Sequence, residues 1–170
     1  FELKDGNRVE AVLMKHDYGN SLCVSSEVGC NMGCAFCESG RLKKVRNLLA
    51  YEIVEQILLI EADIKKRITH VVVMGIGEPF DNFENLAAAL EIMNCPFGLE
   101  YGPRHITVST CGLVPKIDEL AKRKLQLTLS VSLHAPNDET RDKIMPVNRA
   151  YPVEELFAAC HRYFRKTGRR

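Results

Sequence analysis

The sequence has no apolar run approaching the roughly 20 residues that a membrane-spanning helix requires. Its first residues, Phe1 to Gly6, do not resemble a secretory signal. These absences lead to the expectation of a cytoplasmic protein with no membrane partner. Net charge is also lacking. The 23 Lys and Arg against 22 Asp and Glu leave +1, so any contact with nucleic acid must come from local clusters and not from bulk basicity. Two clusters exist: Arg41, Lys43, Lys44 and Arg46, and then Arg162, Arg165, Lys166, Arg169 and Arg170. Solvated surface is the ordinary reading of either one alone. There is no internal repeat, low-complexity tract or linker, and 170 residues at 46% hydrophobic are enough for one core.

Against that plain background the seven cysteines stand out. Their number is odd and no secretory feature accompanies them, which favours metal or redox chemistry over a disulfide framework. Cys30, Cys34 and Cys37 have the spacing C-x3-C-x2-C. Three thiolates fall one short of the four that close a structural zinc site or fully coordinate a 4Fe–4S cubane, and an open position is what a chemically active metal keeps. The first hypothesis is therefore a 4Fe–4S cluster. A zinc site completed by Cys23, Cys95, Cys111, His134 or another distant ligand is the alternative. Gly29 and Gly33 allow the backbone to wrap closely around a cluster.

The chain alternates between two periodicities. Strands are expected at Arg8–Lys15, Ser21–Ser25, Thr69–Met74, Arg104–Ser109 and Leu125–Leu133, and helices at Leu48–Ala62, around Leu86–Met93, after Pro115, at Asn137–Ile144 and at Pro152–Arg165. The run Thr69–Met74 is continuous and β-branched, as in a strand covered on both faces. Four alternations from Leu22 onward argue for α/β architecture with a parallel sheet and favour a barrel or partial barrel. The unusual residues sit where strands end, at 30–37, 75–79, 109–112 and 132–137, the place where parallel α/β folds build their sites.

Each of these stretches also has a plain reading. Gly75-Ile76-Gly77-Glu78-Pro79 serves equally as a turn or as a backbone that approaches a ligand and offers carbonyls and a carboxylate to an ammonium group. Ser109, Ser132 and His134 can hydrogen-bond a ribose or carboxylate, although hydroxyls at strand ends are commonly turn formers. Asn137 suits a helix cap. Cys23, Cys95, Cys111 and Cys160 default to packing, and Glu10 to a solvent-facing strand position.

Taken together, C-x3-C-x2-C, GxGEP, Ser109-Thr-Cys-Gly-Leu-Val-Pro115 and Ser132-Leu-His-Ala-Pro-Asn-Asp138, with Met145-Pro-Val-Asn148, resemble the radical S-adenosylmethionine enzymes, and within them the rRNA adenine-C2 methyltransferase family. The resemblance implies a partial (β/α)6-type barrel, here truncated before its last strands. Residues 1–20 would be a leading strand region and 21–170 about four βα units, with an N-terminal accessory domain and a C-terminal part absent. It implies a 4Fe–4S cluster on Cys30, Cys34 and Cys37, and S-adenosyl-L-methionine contacted by Gly77, Glu78, Ser109, Ser132, Leu133 and His134. It further implies methylation of C2 of an adenosine in large-subunit rRNA, with tRNA as a second substrate and a flavodoxin or ferredoxin as electron donor.

The family route passes through a methylated cysteine that lies outside these residues. A second cysteine, matched here by Cys23, resolves the protein–RNA adduct, and a glutamate matched by Glu10 accepts a proton. Reaching a ring carbon requires an unstacked base, which favours a loop or bulge of structured RNA, and Arg41 to Arg46 would then meet its backbone. The stretch Glu38 to Val45 departs from the family's usual residues after the third cysteine. Three rivals stand beside this reading: C8 methylation of the same adenosine, another radical S-adenosylmethionine reaction, and a non-catalytic zinc-binding RNA module. Gly77-Glu78-Pro79 and His134 to Asp138 lean towards C2.

Overall fold

The computed structural model describes residues 1–168 apart from Lys124, so Arg169 and Arg170 of the second basic cluster lie outside the described residues. The chain opens with a β-hairpin, β1 (Val12–His16) and β2 (Gly19–Val24). Two very short strands, β3 (Glu27–Val28) and β4 (Arg46–Asn47), pair antiparallel and bracket the cysteine loop. Then follow α1 (Ala50–Ile64), β5 (His70–Val73), α2 (Phe83–Asn94), β6 (Ile106–Thr110), α3 (Val114–Lys122), β7 (Thr128–Val131), α4 (Asp138–Ile144) and α5 (Val153–Thr167). Among the described residues no helix is long and apolar enough to cross a membrane.

The main sheet has the order β1-β2-β5-β6-β7, with β2, β5, β6 and β7 parallel and β1 antiparallel at one edge. Each parallel strand is added on the same side of the one before it, as in a barrel wall. The register aligns Cys23, Val72, Thr107 and Thr128 in one row and Val24, Val73, Val108 and Leu129 in the next. Alternation then separates two faces. Leu22, Val24, Val71, Val73, Ile106 and Val108 are fully buried in the helix-covered core, together with Ile53, Ile57, Leu86, Leu90, Ile117 and Leu120. The opposite face, with Cys23, Val72, Thr107 and Ser109, is half-buried. The strand at His70–Val73 is therefore packed by helices on one side only, and its other side forms the concave interior of an open barrel wall.

Most expected elements are present with shifted ends. The strand read over Leu125–Leu133 contracts to Thr128–Val131, and the first strand begins at Val12, preceded by a single bridge between Glu2 and Arg8. Helix ends follow local chemistry. Asn137 caps α4 by accepting the N–H of Thr140 at 2.9 Å. Glu52 reaches back to accept the N–H of Leu49 at 2.8 Å, starting α1. Gly168, at φ 67, ends α5 in the left-handed conformation.

The pair β3 and β4 was not foreseen. It is pinned by Arg46, whose guanidinium forks onto both oxygens of Glu52 at 2.7 and 2.9 Å and also reaches Asp5 at 2.5 Å. The hydrogen bonds from Arg46 hold both carboxyls below their ordinary range. Because the folded values are lowered, this contribution to stability is complete above about pH 5 and is lost as pH falls through the folded values. Arg46→Gln is expected to lower the denaturant midpoint at pH 7 and to flatten the loss of stability below about pH 5. Parallel stability–pH curves for the two proteins would contradict this.

Candidate active site

The carboxyl ends of the parallel strands open on a cavity of about 230 Å³, lined by Cys30, Cys34 and Cys37, by Gly75, Gly77 and Glu78 of the GxGEP turn, and by Ser109, Thr110, Cys111 and Ser132 of the next two strand ends. Met32, Phe36, Val73, Met74, Pro79 and Met145 complete its wall. A larger hollow of about 460 Å³, among Leu129, Val131, Phe157, Cys160, His161, Tyr163 and Phe164, is mainly apolar. Chemistry points to the smaller one.

The cysteine loop hangs from β3 and β4. Gly29 has φ +76, and a Cβ there would lie 2.3 Å from the carbonyl oxygen of Lys43. Its glycine is thus required by the close return of the loop's own backbone, and not by approach to a ligand. From β3 the chain passes through Cys30, whose N–H donates to Leu42 O at 3.0 Å. The N–H of Ala35 is held by the carbonyl of Ile144 in α4 at 2.8 Å. Burial pushes the thiol of Cys30 up to about 11, and burial followed by the neighbouring Cys37 raises that of Cys34. A metal that takes these sulfurs therefore displaces protons.

Among the described residues no three His, Cys, Asp or Glu side chains gather around a single-ion position. The three sulfurs line a cavity instead, which suits a cubane, where each thiolate holds its own iron. The residues present thus fit a cluster with three protein ligands, facing a polar wall that can take a second molecule.

That wall is built by Glu78. Its side chain is buried and turned back into the protein: Oε1 accepts from Phe80 N at 3.0 Å and Oε2 from Cys111 N at 2.7 Å. Burial raises its carboxyl above the ordinary range, against the pull of these donors. Cys111, read as packing, lines the cavity, and burial with the Glu78 charge holds its thiol far above the ordinary value.

The other residues named from the sequence divide. Leu133 and His134 stand outside the cavity lining; His134, at φ 55, is exposed, with its ring 4.3 Å from that of Phe36. Cys23 lies on the concave face next to Met74, half-buried. Burial raises its thiol, the N–H of Met74 works against this, and the charge of Glu10 adds to it; the register that sets Val12 opposite Cys23 runs Glu10 into the segment alongside this strand end. The carbonyl of Glu10 also accepts the hydroxyl of Ser25 at 2.7 Å.

Arg141 was missed. It sits in the run Asp138-Glu-Thr-Arg-Asp-Lys-Ile144 of the expected helix, and it is fully buried. Its guanidinium donates to Cys111 O at 2.6 Å, Leu133 O at 3.2 Å, Ser132 O at 3.4 Å and Asn148 Oδ1 at 2.7 Å. Asn148 in turn donates to Asp138 and Asp142 at 2.9 and 2.7 Å. One side chain thus clasps the ends of β6 and β7 to α4, and α4 holds the cysteine loop.

With this geometry established, comparison with known proteins gives the family. The radical SAM superfamily model matches residues 24–169. The chain belongs to the radical SAM superfamily. Membership of this superfamily implies a 4Fe–4S cluster and S-adenosylmethionine as cofactors, in agreement with the loop and wall described above. The chain is 56% identical over its whole length to a probable dual-specificity RNA methyltransferase RlmN of Desulforamulus reducens and 54% identical to one of Spiroplasma citri. It spans about half the length of these radical SAM relatives, 49% and 50%. A radical SAM methyltransferase from Sphaerobacter thermophilus, 46% identical, superposes with a TM-score of 0.94 over 98% of this chain and 50% of that one.

Removing the Arg141 clasp takes its donors from three carbonyls and an amide oxygen, of which Leu133 O keeps the N–H of Ala135 at 2.8 Å. Arg141→Met is expected to cost at least about 3 kcal/mol in equilibrium unfolding. Arg141→Lys should recover only part of this, because an ammonium cannot span the same acceptors. A midpoint unchanged in the Met variant would show that the clasp contributes nothing.

Proposed function

We propose that this chain carries the cofactor site of an RNA methyltransferase that places a methyl group on C2 of an adenosine in large-subunit rRNA and in tRNA. The observation that supports it most is the identity above 50%, over the whole of this chain, to proteins named probable dual-specificity RNA methyltransferases, together with a cavity that gathers the three cysteines and the GxGEP turn. When bound, the cluster and S-adenosylmethionine would supply the electron, the methyl group and the radical chemistry needed to functionalise an aromatic ring carbon.

The protein's own part is to bind and orient. Cys30, Cys34 and Cys37 hold the cluster. The backbone of Gly75 and Gly77, with Ser109 and Ser132, borders the place of the second cofactor, and buried Glu78 keeps the turn folded against the end of β6. Leu133 and His134 act from outside the lining, through the loop that Arg141 clasps. Cys23 is the thiol that resolves the protein–RNA adduct, and Glu10, exposed beside it, the group that takes up a proton. The partners are structured RNA, presented with an unstacked base, and a low-potential protein electron donor.

The basic run beside the cysteine loop contributes less to RNA than its charge suggests. Lys44 and Arg46 are engaged in internal ion pairs and Arg41 pairs with Glu38. Lys43 and Arg41 are exposed and are the groups of that run placed to meet phosphate.

The test is run on a full-length protein of this sequence, reconstituted with iron and sulfide without oxygen. Any one of Cys30→Ala, Cys34→Ala and Cys37→Ala is expected to abolish the cluster's absorbance and at least about 99% of methylation, whereas Cys111→Ala should keep its iron. Mass spectrometry of the modified nucleoside should locate the methyl at C2. A methyl at C8, or a colourless protein carrying zinc and no iron, would overturn the proposal.

A further inference from the structure

Glu27 is the only charged residue between Leu22 and Cys37, and its side chain is completely shielded from solvent. None of the roles assigned above uses it. Its Oε2 accepts the N–H of Glu78 in the GxGEP turn at 2.9 Å. Its Oε1 lies 2.5 Å from Lys44 Nζ, and the same ammonium reaches Asp81 Oδ2 at 2.7 Å. Oε1 has no hydrogen bond of good angle, so its compensation is the charge of Lys44.

These partners come from three places. Glu27 lies in β3, on the outgoing arm of the cysteine loop; Lys44 lies on its returning arm, just before β4; Glu78 and Asp81 belong to the turn and loop after β5. Gly77 fits the same arrangement. Its φ is +106, and a Cβ there would stand 2.5 Å from Cβ and 2.6 Å from Cγ of Glu27. The second glycine of GxGEP thus makes room for a protein carboxylate.

Stability alone is a poor account of a buried ion pair. The desolvation of two charges commonly offsets their attraction, so that an apolar pair of similar shape does as well or better. What an apolar pair cannot supply is an acceptor for the Glu78 N–H at a fixed place. We propose that Glu27, neutralised by Lys44, is a positioning residue. It fixes the GxGEP turn relative to the Cys30–Cys37 loop, so that the cluster side and the S-adenosylmethionine side of the cavity stay in register. This rests on the reading that both loops border one cofactor site.

The experiment measures iron content and S-adenosylmethionine affinity by calorimetry in the reconstituted full-length protein. Glu27→Asp keeps the charge and withdraws the acceptor by one methylene. The double variant Glu27→Gln/Lys44→Met keeps an acceptor of the right length and removes both charges. The Asp variant is expected to retain wild-type iron and to bind S-adenosylmethionine about tenfold more weakly. The double variant should bind within about twofold of wild type.

An Asp variant that binds like wild type would overturn the proposal. So would a double variant weakened as much as the Asp variant, because charge and not acceptor position would then be what matters. Loss of iron together with affinity in the Asp variant would overturn it too, since Glu27 would then support the cysteine loop itself. A wild-type protein with an intact cluster and no affinity for S-adenosylmethionine would instead overturn the reading of the site on which the proposal rests.

Discussion

The segment Ser25-Ser26-Glu27 leaves the sheet at the end of β2 with buried backbone that must find partners, and the way it finds them determines the site. Gln56 of α1 takes the N–H of Ser25 at 2.9 Å and donates to its carbonyl at 3.0 Å. The carbonyl of Ile76 accepts from both Ser26 N and Glu27 N at 2.9 and 3.1 Å. Asn82 donates to Ser26 O at 2.8 Å and to Leu48 O at 2.7 Å. A stretch with regular pairing only at Glu27 is thereby stitched to the first helix on one side and to the GxGEP turn on the other. The cysteine loop, which begins three residues later, inherits a fixed starting direction.

Two buried charges extend this scaffold on opposite sides of the cavity. Arg141 binds neutral carbonyls at the ends of β6 and β7, and burial lowers its pKa despite the nearby thiols and Asp138 and Asp142. Glu27 serves the end of β5. Burial is the largest influence on its carboxyl, pushing it up, and Lys44 opposes that shift. Such groups are costly to desolvate and pay off in fixed geometry, because a guanidinium or carboxylate satisfies several acceptors or donors in one arrangement only. A site that keeps a metal cluster and a second cofactor in contact has use for that rigidity.

The concave face is different in character. Cys23, Val72, Thr107 and Ser109 are half-buried and small or of moderate size, while the helix-covered face is filled with Leu, Ile and Val. Glu10 and Cys23 stand at one margin of this face and the three-cysteine loop stands above it. Under the proposed function a base extruded from RNA would need such an accessible surface beside the cofactor site, and the helix-packed side, filled by the core, offers none.

The sequence by itself determined the alternation of strands and helices, the three-cysteine loop and the position of unusual residues at strand ends. All of these depend on local periodicity or short spacing, which a linear text preserves. The positions of Gly77, Glu78, Ser109 and Ser132 around one cavity were legible for the same reason: parallel strands bring their carboxyl ends together. Glu27 carried a faint signal as the lone charge in its stretch, and Lys44, hidden in a basic run, carried none. Arg141, one of several charges in an expected helix, carried none either. Cys111 looked like packing, and Gly29 and Gly77 looked like accommodations for a ligand when their neighbours are Lys43 and Glu27. Only the tertiary structure decided these, because whether a charge is buried, and what a missing Cβ makes room for, depends on segments distant in sequence, as Glu27 is from Glu78 at 51 residues, that the fold alone brings into contact.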